Sequence, residues 1–549
     1  MGNRETRVGG RAAGMIARVL MALALVWFSA APVAAEPPAS PLVPLTTPGP
    51  WAAITGLIGY GGRLWFANWT PFVNHNSADI YSYDPADGRV RYERHLFSQG
   101  AGTPAVSGGR LYWPFEDSRF STGHGEYMVT DGARWRWRTL PDDEVFHIHA
   151  MLAQGGALYA ATSAWRAGVQ VSTDGGATWR VLYDHPTPPG EVSRITSLAT
   201  LGGRLHAGLT AWREAAPKLL RRTDTGFAPV PGWSKGRAVT ALTAFKGWLY
   251  AVNATNGGRA LWRSDGRRSA RVAGLDGRFV RALAAGAGTL WAVDARDNAL
   301  LASDDGIAWR EVQRFGDAQP LDVAVYGGRV YVGTYSRDGR GMLWGPPPPA
   351  PVEDAATAPL APLPAPSSES LDETLATLDR LLRDPAAYAA HARALRRPIK
   401  ALAMAGQGQA LAQRLAAATA PGEVEMIGGA ITPSRRAIAR WYLLRGIAET
   451  GSNGGGRVPP ALLALPWDRP ANSSEKYLHP TPAAAWAVAM TGQNDAKTLA
   501  ALIARLDRKG DPPWLLGDIV GALSALADQR FGYDRDAWRR WWRARASTP

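Results

Sequence analysis

The stretch GLIGYGGRLWFA, residues 56–67, consists of an apolar run, a pair of glycines and a second apolar run carrying aromatics. The same phrase returns as AVSGGRLYWP at Gly108-Gly109, MLAQGGALYAA at Gly155-Gly156 and LATLGGRLHAG at Gly202-Gly203, each 47 residues after the last. Looser copies follow at Lys246-Gly247, Ala287-Gly288 and Gly327-Gly328, at spacings that shorten to about 40 residues. Adjacent glycines permit positive φ at both central positions of a tight hairpin, so each phrase reads as two antiparallel strands. Hairpins repeated at this period are the signature of β-propeller blades, and seven copies predict seven blades.

A third strand and a second turn follow each phrase. The fullest form of that turn is STDGGATW, Ser172 to Trp179. Reduced forms surround Asp224, Asp265, and Asp304 with Trp309; VTDGARW at Asp131 and SYDPADGRV at Asp84 occupy the same slot. A catalytic group is needed once, whereas a hairpin device is needed once per blade. The residue types agree with the second role: a short Asp accepts from turn N–H groups, Gly permits the left-handed conformation, and Trp packs on the adjoining sheet. Ser172, Asp174, Gly176, Thr178, Trp179, Asp224, Asp265, Asp304 and Trp309 are therefore expected to be structural.

STDGGATW and its echoes resemble the Asp-box, or BNR repeat, of sialidase-like propellers, over about residues 40–345. That superfamily includes sialidases, other glycosidases, sortilin-type receptors and photosystem-assembly factors, so the resemblance implies a fold and does not choose a function. Sialidases hold their substrate with three arginines, use a Tyr nucleophile with Glu and an Asp acid/base, and carry an Arg-Ile-Pro-like motif near the first strand. No such motif precedes Arg63, and sialidase propellers have six blades, so no catalytic residue is carried over.

The seventh repeat breaks off after Trp344, where GPPPPAP begins. SPLVPLTT, residues 40–47, precedes the first inner strand just as WREVQRF precedes the last. The N-terminal segment is therefore expected to supply the outer strand of the last blade and to close the ring, removing its sheet edges.

Propeller ligands bind where the innermost strands begin. Aligning the repeats on the glycine pair places Thr55, Gly102, His149, Thr196, Thr240, Arg281 and Leu321 in one column. His147 and His149, in EVFHIHAML, share one face of a strand. Two imidazoles there could ligate a metal or move protons, or simply line a polar channel. With Glu144, Arg194 and Arg281 they form a candidate site for an anionic or sugar-like ligand. No third metal ligand is specified, so neither metal nor cofactor is expected. HExxH, GxSxG and P-loop motifs do not occur.

Residues 1–35 read as a signal peptide: Arg4, Arg7, Arg11 and Arg18 precede a short apolar run, and APVAAEPP offers a cleavage site after Ala35. The chain has no cysteine, so a large exported protein must rely on core packing without disulfides. A periplasmic or secreted location follows, without a transmembrane span in the mature chain. The net charge of +14 comes from scattered basic residues, which does not point to nucleic acid.

The propeller is expected over residues 36–345, a Pro/Ala-rich linker over 346–369 and an all-α domain over 370–549. Helices are predicted from Leu371, at 385–404, 407–418, 433–448, 482–491, 495–508 and 513–527, and in the Trp-rich end. Phe531-Gly532-Tyr533-Asp534 before that last helix resembles the closing segment of bacterial HEAT-like repeat proteins, with Asp534 as N-cap. Trp538, Trp541 and Trp542 are expected to seal the helical stack while Arg539, Arg540 and Arg543 face water.

Two propeller-and-helix binding surfaces favour a non-enzymatic binding or assembly protein with a protein or glycan partner. A glycoside hydrolase working at the propeller mouth is the alternative.

Overall fold

The computed structural model describes residues 41–71, 77–117, 125–141, 145–164, 166–187, 191–211, 216–337, 339–348, 371–384, 393–418, 424–427, 430–433, 435–467 and 479–546. The signal peptide, Glu144 and most of the linker lie outside these residues.

The fold is a seven-bladed β-propeller followed by a helical region. Blade 1 runs from Ala53 to His95, blade 2 from Ala105 to Thr139, blade 3 from Val145 to His185 and blade 4 from Ser193 to Pro229. Blade 5 runs from Ala238 to Arg271, blade 6 from Val280 to Arg314 and blade 7 from Gln319 to Gly345. Strands within a blade pair antiparallel in chain order, inner to outer. The outer strand of blade 7 is the N-terminal segment: Val43–Thr46 pairs with Leu343–Gly345, Val43 opposite Gly345 and Thr46 opposite Leu343. The expected closure is thus present. Gln313 of blade 6 fastens it further, its side chain exchanging hydrogen bonds with the backbone of Leu42 at 2.7 and 2.9 Å.

Each glycine pair forms the inner hairpin turn, with Gly61 and Gly62 at φ 55° and 77°. Where the first glycine is replaced, the turn survives at a cost: Lys246 and Ala287 hold φ of 45° and 51°.

Most inner strands share a second feature. In blades other than the second, the register to the next strand slips near the start: between Ile148 and Ala150 in blade 3, which also slips between Val145 and His147, between Ile195 and Ser197 in blade 4, Val280 and Ala282 in blade 6, and Pro320 and Asp322 in blade 7, and across two residues, between Thr55 and Ile58 in blade 1 and Thr240 and Thr243 in blade 5. The bulged residues are His149, Thr196, Arg281 and Leu321, members of the column aligned from the repeats. A bulge releases one residue from the ladder and re-aims its side chain, whereas Thr55 and Thr240 of the same column stay paired, with Ala67 and Val252.

Eight α-helices are present among the described residues: α1 Leu371–Arg383, α2 Arg393–Met404, α3 Gly408–Ala417, α4 Arg435–Thr450, α5 Pro480–Thr491, α6 Ala496–Arg505, α7 Pro513–Ala527 and α8 Arg535–Ala546. A short hairpin, Val424–Ile427 with Ala430–Pro433, interrupts them where no strand was expected. None of the described helices is long and apolar enough to cross a membrane. In α8, Asp534 accepts from Ala537 N at 2.9 Å, and Trp538 is fully buried, its indole donating to Gly532 O at 2.9 Å. Arg540 and Arg543 are exposed, and Arg539 pairs with Asp507 and Asp536.

The helical region is not a separate body on a tether. Tyr81 and Tyr92 of blade 1, with Trp51 and Phe97 just before and after it, belong to the same apolar core as Leu515, Ile519 and Trp538. Trp137 of blade 2 meets Trp486 of α5 edge-on at 5.5 Å. Buried polar contacts cross the boundary as well. Arg445 of α4 pairs with Glu126 of blade 2, and Arg530 donates to Glu93 of blade 1 at 2.6 Å. Tyr533 donates to Asp79 at 2.6 Å. These contacts join residues hundreds of positions apart in the chain.

Candidate functional site

The STDGGATW turn is built around its own Asp. Asp174 accepts from Ser172 Oγ at 2.7 Å, from Thr178 N at 2.9 Å and from Thr178 Oγ1 at 2.5 Å, while Ser172 Oγ accepts from Gly176 N at 2.8 Å. These donors hold the carboxyl below its usual range against the opposing effect of partial burial. The turn leans on blade 2: Trp179 Nε1 donates to Tyr127 OH at 3.1 Å, and Tyr112 OH donates to Gly175 O at 2.9 Å. In blade 5, Asp265 accepts from Arg267 N and Arg268 N at 2.8 and 2.7 Å. Asp224 sits in the equivalent turn of blade 4, closed by Thr223 N donating to Gly226 O at 2.8 Å.

Blade 6 requires a correction. The carboxylate that accepts from the turn is Asp305, not Asp304: Ile307 N and Ala308 N both reach Asp305 Oδ1 at 2.8 Å. Asp304 instead accepts from Thr289 Oγ1 at 2.9 Å and is mostly exposed. In ASDDGIAW two carboxylates compete for one slot, and the register is set by Ser303, whose Oγ donates to Asp305 and accepts from Gly306 N. Trp309 packs beside the core between blades 5 and 6.

At the mouth, His147 and His149 stack with ring centroids 5.4 Å apart. They converge on a residue the repeat alignment did not single out, Glu116, which follows the second strand of blade 2. Glu116 Oε1 lies 4.0 Å from a nitrogen of each of His147, His149 and Arg194. His147 Nδ1 also donates to the Glu116 carbonyl, which fixes its tautomer, and His149 Nε2 contacts Ser163 Oγ at 2.8 Å.

Burial pushes the Glu116 carboxyl up to about 7, Asp117 adding to the rise and Arg194 opposing it. Burial and Arg194 together push His147 down to about 4. His149 is driven well below its ordinary value by burial, then by His147 and Arg194. At neutral pH both imidazoles are therefore uncharged, and Glu116 is poised between forms. Such a group can hold or release a proton with little change in pH.

Arg281 does not join this cluster. Its electrostatic neighbours are Asp322 of blade 7 and Arg259 of blade 5. Asp322 is itself occupied: it accepts from Gly56 N and Leu57 N, in the bulge of blade 1, at 2.7 and 3.1 Å. Burial raises Asp322 to about 6 despite these bonds. Glu144 lies outside the described residues. Among the described residues no group of three or more His, Asp or Glu is placed to hold a metal ion.

Residues 50–219, blades 1 to 4, match a protein family described as outer membrane protein assembly factor BamB. A comparison with curated protein sequences gives no match. Similar solved structures include virginiamycin B lyase from Staphylococcus aureus, at 18% identity and TM-score 0.40, covering 55% of this chain and 98% of that one. The β-propeller domain of the trilobed protease from Pyrococcus furiosus has 11% identity and TM-score 0.39, covering 54% and 95%. Acylaminoacyl peptidase from Pyrococcus horikoshii has 12% identity and TM-score 0.39, covering 54% and 51%.

Proposed function

We propose that this chain is an exported, non-enzymatic binding or assembly protein, cut near Ala35 and working in the periplasm, which presents the inner-strand mouth of its propeller to a protein partner. The observation that carries this reading is the match of blades 1 to 4 to a family described as an outer-membrane assembly factor. Docking of the helices on blades 1 and 2 supports it, because the two candidate binding surfaces are then held together rather than free to wander. The Asp-box kinship of the blade turns and the HEAT-like kinship of the last helices belong to the same proposal, both as scaffold. A photo-crosslinking residue placed at Thr196, on the mouth, should give discrete protein adducts in periplasm. The same residue at Val181, exposed on the outer strand of blade 3, should not. Equal labelling from both positions would overturn the reading.

One observation favours a hydrolase instead. Glu116, with its carboxyl near 7 beside two neutral imidazoles and an arginine, resembles a general acid awaiting a substrate. Shortening of envelope glycans or peptides by the full chain, abolished by Glu116→Gln, would replace the binding reading with this one.

A further inference from the structure

Blades 4, 5 and 6 enclose a pocket of about 600 Å³ at the end where their inner strands begin. Five arginines line it, Arg237, Arg259, Arg271, Arg278 and Arg296, with Phe279 among them and no acidic side chain. Two of the five are paired with carboxylates. Arg271 Nη2 lies 2.7 Å from Asp276, and Arg278 pairs with Asp294 at 3.2 Å and with Asp297. The other three have only neutral partners. Arg237 donates to Asn256 Oδ1 at 3.1 Å, Arg296 donates to Gly277 O at 2.6 Å, and Arg259 lies over the Phe279 ring at 4.3 Å. Among the described residues no carboxylate comes within ion-pair distance of these three.

The pocket is also built in advance. Asp294, fully buried, accepts from Phe279 N and Arg296 N at 2.9 Å each through one oxygen and from Arg278 through the other. That single carboxylate ties the start of blade 6's inner strand to the turn carrying Arg296. Like charges gathered on a fixed frame repel one another, and an anion seated among them removes the repulsion. Guanidinium forks match carboxylate and phosphate oxygens in pairs, and a frame already in place avoids the entropy of assembling it.

We propose that this pocket binds a ligand carrying at least two oxyanion groups, carboxylate or phosphate. The inference does not depend on whether the mouth around Glu116 binds a protein or works on a substrate.

The test is calorimetric titration of the full chain with citrate and with pyrophosphate, sucrose serving as the uncharged control. Saturable one-to-one binding of either anion is expected, weakening with added salt. Citrate alone would mark the ligand as a carboxylate, pyrophosphate alone as a phosphate. Arg259→Gln with Arg296→Gln should weaken binding by about ten-fold or more, the scale of one lost charge-assisted contact. Arg237→Glu, at an exposed position that leaves the fold intact, should do the same. Arg180→Gln, on the exposed outer strand of blade 3, should leave it unchanged. Absence of saturable binding to the unsubstituted chain would overturn the proposal. So would an equal loss in the Arg180→Gln chain, which would reduce the effect to net charge.

Discussion

His95 of blade 1 and Asp518 of helix α7 meet at 3.0 Å, Nε2 to Oδ1, and both side chains are completely buried. The other ring nitrogen of His95 lies 2.8 Å from Asp79, equally buried. A carboxylate at each ring nitrogen favours a proton on both, and together they hold the His95 pKa above its ordinary value against the effect of burial. Asp79 takes further hydrogen bonds from Trp51 Nε1 and Tyr533 OH, at 2.6 Å each. This network is the polar centre of the joint between propeller and helices. Asp518→Ala leaves the buried His95 ring nitrogen without this partner and should destabilise the chain by about 3–5 kcal/mol, read as a lower denaturant midpoint.

The same joint should respond to pH. Burial alone would lower the His95 pKa, but Asp518 and Asp79 together outweigh it, and the net shift is upward. The stabilisation is then complete below the unfolded value of about 6.5 and is lost as pH rises through the folded value. Unfolding midpoints measured from pH 6 upward should fall, and the fall should be shallower in His95→Gln. A parallel profile in that variant would show that His95 is uncharged in the fold. Tyr92 and Tyr533, the other titrating side chains on Asp79, are pushed well above their ordinary values by burial and do not enter this window.

Close approach at the joint depends on glycine. A Cβ at Gly521 would lie 2.5 Å from His95 Cβ, and one at Gly517 would lie 3.1 Å from His95 Cε1. Gly521→Ala raises helix propensity, yet it should still destabilise by about 1–3 kcal/mol, because α7 must retreat from blade 1. A gain in midpoint would show that α7 can shift without loss.

The blades were legible because their cause is local: a Gly-Gly turn and flanking apolar runs are read within about a dozen residues. Even closure of the ring could be reasoned out, since blade 7 visibly lacked a strand and residues 40–47 lacked a partner. The column at the start of the inner strands was legible for a similar reason, its constant distance from the glycine pair. What escaped was contact between distant residues. Glu116 sits in PFEDSRF with nothing to distinguish it until blade 3 brings His147 and His149 beside it. His95 and Asp518 are 423 positions apart, and neither lies in a repeat-defining place. Arg281 shares a column with His149, but a ring of seven blades separates members of one column, and its neighbours are Asp322 and Arg259.

The choice between Asp304 and Asp305 can be checked directly. Asp305→Ala removes the acceptor for Ile307 N and Ala308 N, the bonds that close the turn of blade 6. Asp304→Ala removes one bond from Thr289 and a long ion pair with Arg310, at 3.8 Å, neither of which closes the turn. Thermal unfolding should therefore begin a few degrees lower in Asp305→Ala and change little in Asp304→Ala. The reverse order would restore Asp304 as the turn residue.

Ala287 offers the opposite kind of change. It holds φ 51° in the inner hairpin of blade 6, a position that is glycine in most other blades. A Cβ in the left-handed region costs about 1–2 kcal/mol, while glycine gives back part of that in unfolded-state entropy. Ala287→Gly should therefore stabilise the chain by up to about 1 kcal/mol, seen as a raised denaturant midpoint with an unchanged slope. Lys246 has the same strain at φ 45°, but its Nζ donates to Asp304 O at 2.6 Å, tying blade 5 to blade 6. Lys246→Gly exchanges that bond for relief of strain, so its gain should be smaller than that of Ala287→Gly. A loss in Ala287→Gly would mean that this turn is not strained in solution.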